Sequence, residues 1–132
     1  MFLNGLSYQE KKMFLDLSIH IAKANDVLSG EEKALISAYC SEMQMPAIEL
    51  YDTEAIETVI AYFAMAEESV KKIVILEILG LAYVDGAYDE TEEKLVKRVA
   101  EEIGIDDKTY KKLHKAIQDY YQTINKLAEM VK

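Results

Sequence analysis

A single proline, Pro46, and five glycines are the strong helix breakers in 132 residues, and between them nearly every apolar run recurs at spacings of three and four rather than in alternation. Alternation is what a half-buried strand requires, so the chain is confined to an all-α fold. With 51% hydrophobic residues, a chain of this length can bury a sizeable core as one domain spanning residues 1–132.

The helix starts are written in the polar residues. Ser7 with Glu10, and Ser29 with Glu32, have capping-box spacing, in which the serine side chain accepts from a first-turn N–H and the glutamate reaches back to the serine N–H. The first box opens a helix carrying Phe14, Leu17, Ile21 and Ala24 and ending near Asn25; the second opens a helix burying Leu35, Ile36, Tyr39 and Met43, with Pro46 as its stop. After an irregular connection from Pro46 to Asp52, "TEAIETVIAYFAMA" reads as a third helix with Ile56, Val59, Ile60 and Phe63 inward. From about Glu67 to Tyr83 the apolar residues go nearly all round, which predicts a helix at the centre of the bundle. Asp89 with Glu92 caps a fifth helix bearing Leu95, Val96, Val99 and Ile103, stopped at Gly104. A last helix from about Asp107 presents Tyr110, Leu113, Ile117, Tyr121, Ile124 and Leu127, with a lysine-rich face toward solvent. The expectation is a compact bundle of about six helices.

The chain also resembles itself. A gapless shift of 60 residues lays Ile19 on Leu79, Ala22 on Ala82, Asn25 on Asp85, Ser29 on Asp89, Glu32 on Glu92, Leu35 on Leu95 and Met43 on Ile103. Stripe, cap and corner coincide together, which points to two repeated αα-hairpins at about 14–45 and 74–105 that should superpose.

Charge and composition remove several functions. Fifteen basic against 24 acidic residues give a net charge of -9, which repels nucleic acid and anionic membrane surfaces and favours cations or a protein partner with a basic or amphipathic surface. Cys40 is the one thiol, so neither an intrachain disulfide nor a cysteine metal cluster can form. The opening "MFLNGLSYQEKK" does not have the order of a secretory signal, and "IVILEILGLAYV", interrupted by Glu77, is too short to span a bilayer. A cytoplasmic protein without membrane insertion is expected. No Ser/His/Asp arrangement, phosphate loop or Cys/His cluster supports an enzyme.

The densest chemistry lies in "AYVDGAYDETEEKLV", residues 82 to 96. An EF-hand loop begun at Asp85 would put Ala87 at a ligand position, Glu90 where glycine belongs and Val96 where the closing carboxylate belongs, so the stretch is a helical-hairpin corner instead. The two corners, "NDVLSGEE" at 25–32 and "DGAYDETE" at 85–92, share an acidic or amide residue, a Ser or Asp cap and a glutamate three further on. This resembles the TerB-like family, whose repeated helix pairs carry an "ADG" turn followed by a capping residue and a glutamate. The resemblance implies an all-α fold, a link to tellurite resistance and related stress, kinship with the membrane-linked co-chaperone DjlA, and for some members a metal-binding role through acidic residues. Carried over, it puts the acidic positions at Asn25 and Glu32 in the first copy and at Asp85 and Glu92 in the second; "AND" stands in the first where the family has "ADG".

The candidate metal positions are therefore Asp85, Asp89 and Glu92, with Asn25, Asp26 and Glu32, for a divalent cation such as calcium or magnesium. Capping alone accounts for Glu32 and Glu92, and Asp85 can reach across the corner to the amides of the next helix. Of the remaining candidates, Glu77 should be paired with a Lys or Tyr, Asp16 with His20 reads as a polar face, His114 as a polar-edge residue and Cys40 as a small buried hydrophobe. The functional expectation is a non-enzymatic TerB-like module with weak divalent-cation binding at its corners; the alternative is an interaction or adaptor domain with no metal role.

Overall fold

The computed structural model describes residues 1–24, 29–45, 53–84 and 90–132. Among them are six α-helices and one 3-10 turn: η1 (Leu3–Gly5), α1 (Tyr8–Ala22), α2 (Gly30–Glu42), α3 (Ile56–Ala64), α4 (Glu68–Tyr83), α5 (Glu90–Ile103) and α6 (Asp107–Met130), with no strand. No helix of the described residues is long and apolar enough to cross a membrane.

Both capping boxes form. Ser7 accepts from the Glu10 N–H and Glu10 Oε1 accepts from the Ser7 N–H at 2.7 Å; Ser29 and Glu32 repeat the exchange at 3.0 and 2.9 Å. Asp106, unanticipated in that role, opens α6 by accepting from the Thr109 N–H at 2.7 Å, and this bond holds its carboxyl below the usual carboxylate range. α3 starts at Ile56 rather than near Thr53, and its first residue follows Ala55, which offers no side-chain cap.

The stops are left-handed. Gln44 has φ 57° and Gly104 φ 96°. After each, the next residue bonds back five positions, Met45 N–H to the Cys40 carbonyl and Ile105 N–H to the Ala100 carbonyl, both at 2.9 Å, which satisfies carbonyls the helix end would leave open. Helix α2 thus ends at Glu42, with the left-handed turn at Gln44 closing it before the proline credited with ending it; Pro46 itself lies outside the described residues.

The 60-residue shift carries α1 onto residues 68–82 of α4, Gly30 onto Glu90 and the Gln44 stop onto Gly104. Burial follows the same register: Phe14 and Val74, Leu15 and Ile75, Ile19 and Leu79, Ala22 and Ala82, Glu32 and Glu92, Cys40 and Ala100, Met43 and Ile103 are all buried.

α4 sits at the centre, packed against α1, α3, α5 and α6, with Val74, Ile75, Ile78, Leu79, Gly80, Leu81 and Ala82 buried. Two tyrosines grip its backbone: Tyr39 donates to the Glu77 carbonyl at 2.9 Å and Tyr121 to the Gly80 carbonyl at 3.1 Å. Burial pushes both hydroxyls up, Tyr121 to about 12, so each stays a neutral donor. The inward stripes agree with expectation except at the chain's end, where Ile124 and Leu127 are exposed. The core they were to join stops near Tyr121.

Two sets of substitutions test this account by thermal denaturation. Ser29→Ala should cost about 1 kcal/mol, the usual size of a lost cap. Gly104→Ala should cost about 1 kcal/mol because an L-residue is strained at that φ, while Gln44→Gly should stabilise by relieving the same strain.

Candidate functional site

Three glutamates stand at the third position of a helix, and burial separates them. Glu10 makes the full capping exchange while half-exposed. Glu32 makes the same exchange at 2% exposure, and Glu92, its counterpart in α5, is at 1%. Capping a first turn therefore does not require the carboxylate to be enclosed. Enclosure costs solvation that hydrogen bonds must return, and for Glu32 they do so on one side only: Oε1 accepts from Ser29, while Oε2 is buried without a hydrogen-bond partner among the described residues. A carboxylate oxygen in that position suits a cation or water.

Of the six candidate metal positions, Glu32 and Glu92 are described and both are buried at helix starts. Asn25, Asp26, Asp85 and Asp89 lie outside the described residues. Among the described residues no three or more His, Cys, Asp or Glu side chains gather closely enough to hold a metal ion.

Glu77 has a partner the sequence reading did not name. At 4% exposure its carboxylate, unlike its carbonyl, is bonded to neither Lys nor a tyrosine hydroxyl among the described residues; its Oε1 receives the Met1 ammonium at 2.7 Å and the Phe2 N–H at 2.9 Å. Glu42 completes the clamp, accepting from the same ammonium at 3.0 Å and from the Leu3 N–H at 2.9 Å. Residues 1–3 are thereby fixed across α2 and α4. Sixty residues earlier, the position that corresponds to Glu77 under the shift is the buried Leu17, a hydrocarbon where Glu77 carries an ion pair.

A second polar cluster borders the end of α4. The Tyr83 hydroxyl and His114 Nε2 are hydrogen-bonded, Gln118 Nε2 donates to the Tyr83 oxygen at 3.4 Å, and Tyr110 donates to Glu93 Oε1 at 2.6 Å. The His114 ring lies between those of Tyr83 and Tyr110, with centroids at 5.5 and 5.8 Å. His114 thus bridges α4 and α6 rather than edging a polar face; the i, i+4 pair Tyr110/His114 was the available signal. Asp16 and His20 fasten the approach to α3: Asp16 Oδ2 accepts from the Glu54 N–H at 3.3 Å and His20 Nε2 meets the Glu54 carbonyl at 2.7 Å. Burial raises the Asp16 carboxyl. Cys40 is buried, as expected of a small core residue.

An all-helical domain with enclosed glutamates at equivalent helix starts is a small acidic helical module. The family model described as "Tellurite resistance protein TerB" matches residues 47–115, just over half of the chain, and the chain belongs to that family. The match contains the second hairpin segment, 74–105, whereas 14–45 lies outside it. No curated protein and no solved structure matches the chain.

The Met1 clamp has a pH signature. Burial opposes the ammonium's charge, but hydrogen bonds and attraction from Glu77 and Glu42 outweigh it and raise the pKa above 8.0. A raised base stabilises the fold fully below its unfolded value and loses that contribution as pH climbs through the folded value. The melting temperature should therefore fall as pH climbs above about 8. Glu77→Gln should lower it at pH 7 and flatten the alkaline decline.

Proposed function

We propose that this TerB-family chain is a non-catalytic module that takes up a divalent cation weakly at its acidic helix starts, in the service of tellurite or related stress resistance. One observation carries the reading: Glu32 is enclosed beyond what its capping role needs and keeps an oxygen without a hydrogen bond among the described residues. Its counterpart Glu92 shares the position and the burial. Buried carboxylates that follow acidic and amide residues in the sequence fit a hard, oxygen-seeking ion such as calcium or magnesium, with retained waters filling the shell. Asn25 and Asp26 precede the first glutamate by seven and six residues, Asp85 and Asp89 the second by seven and three. The second corner, with more carboxylates, should dominate. The family name supplies the link to tellurite.

Calcium and magnesium titrations followed by amide NMR test this. Binding with dissociation constants on the order of 0.1 to 1 mM is expected, with resonances near Glu92 moving first. Asp85→Asn and Glu92→Gln should each weaken it with the fold retained. If no resonance adjoining either corner moves at millimolar metal, the acidic corners are helix junctions. An adaptor role toward a basic or amphipathic partner then becomes the better reading.

A further inference from the structure

The last helix outruns the bundle it packs on. At 1.5 Å per residue, α6 is about 36 Å long and α4 about 24 Å. Apolar and aromatic residues of α6 alternate by threes and fours through Tyr110, Leu113, Ile117, Tyr120, Ile124, Leu127 and Val131, the spacing of a coiled-coil seam. The first three are used within the chain: Tyr110 and Ile117 are buried and Leu113 packs against the core. The last four are exposed by 43, 42, 53 and 85%, and every residue from Gln122 onward is exposed.

Charge indicates what covers this half-seam. Two molecules carrying -9 repel over most of their surfaces. From Gln118 to Lys132, however, Asp119 and Glu129 are balanced by Lys126 and Lys132. The positions flanking the seam, where coiled coils place the charges that choose or refuse a partner, hold Tyr121, Thr123, Ala128 and Met130. A neutral seam with uncharged flanks gives a basic chain nothing to grip and gives a copy of itself nothing to repel.

We propose that the overhanging half of α6 is a self-association surface that pairs antiparallel with the same segment of a second copy. The antiparallel sense sets the two acidic bodies at opposite ends of the pair, whereas a parallel one would bring them side by side. It layers Ile124 on Leu127 and Tyr120 on Val131, and sets Tyr121 beside Ala128 on the flank, large against small. A cleft of about 120 Å³ beside Tyr120, lined also by Leu35, Ala38 and Leu76, lies where the end of the second helix arrives. The contact closes as a twofold, and its small area makes it weak.

Sedimentation velocity from about 10 μM to about 1 mM in physiological salt should show the mass rising from 15.0 kDa toward twice that, with half-association on the order of 0.1 mM. Ile124→Lys with Leu127→Lys should remain at 15.0 kDa throughout with an unchanged helical spectrum, since both positions are exposed. A wild-type chain that stays monomeric over this range, or a double-lysine variant that associates equally, overturns the proposal. Orientation is read separately: Ile124→Cys and Leu127→Cys proteins should cross-link severalfold faster when mixed than either does alone. Equal rates would overturn the antiparallel pairing.

Discussion

The enclosure of α4 on all sides is the constraint from which the rest of the architecture follows. A helix apolar round most of its circumference is stable in water only if other helices cover each face, and each fully buried Leu or Ile side chain contributes about 1.5–3 kcal/mol. The flanking helices need only one apolar stripe apiece, which leaves their outer faces free to carry the chain's charge. Enclosure also explains the two tyrosines that donate to α4 carbonyls, since a central helix has little water to satisfy any backbone group that comes loose. It explains the clamp at Glu77 too. A carboxylate in the middle of such a helix must be paired, and the Met1 ammonium and Phe2 N–H do this from outside the helical layer.

Most of the fold was legible in the sequence because its signals are local. Ser7/Glu10 and Ser29/Glu32 announced two helix starts through a three-residue spacing, and Gly104 announced a stop through its freedom at positive φ. Gln44 gave no such notice, since nothing about a glutamine signals left-handed backbone. The start of α3 was read early because apolar spacing marks a helical face and not the residue at which the first turn closes. Ile124 and Leu127 were read as inward because periodicity reports which face is apolar, not where the neighbouring helix ends.

The candidate site was legible in its residue types but not in its burial. Glu10, Glu32 and Glu92 occupy the same position relative to a helix start, yet one is half-exposed and two are enclosed, a difference set by tertiary neighbours alone. The partner of Glu77 was hidden for another reason. Its counter-charge belongs to a backbone amine 76 residues away, and no side-chain pattern encodes that.

α3 is the shortest of the six α-helices among the described residues. It has nine residues, short for a helix to persist alone in water, and it begins without a side-chain cap. Its order is supplied by Val59, Ile60 and Phe63, seated against α1, α4 and α5. Helicity there is a property of the assembled domain and not of the segment. Loosening α1, α4 or α5 removes the packing on which α3 depends, making it an element through which cooperativity of the whole domain is directly felt.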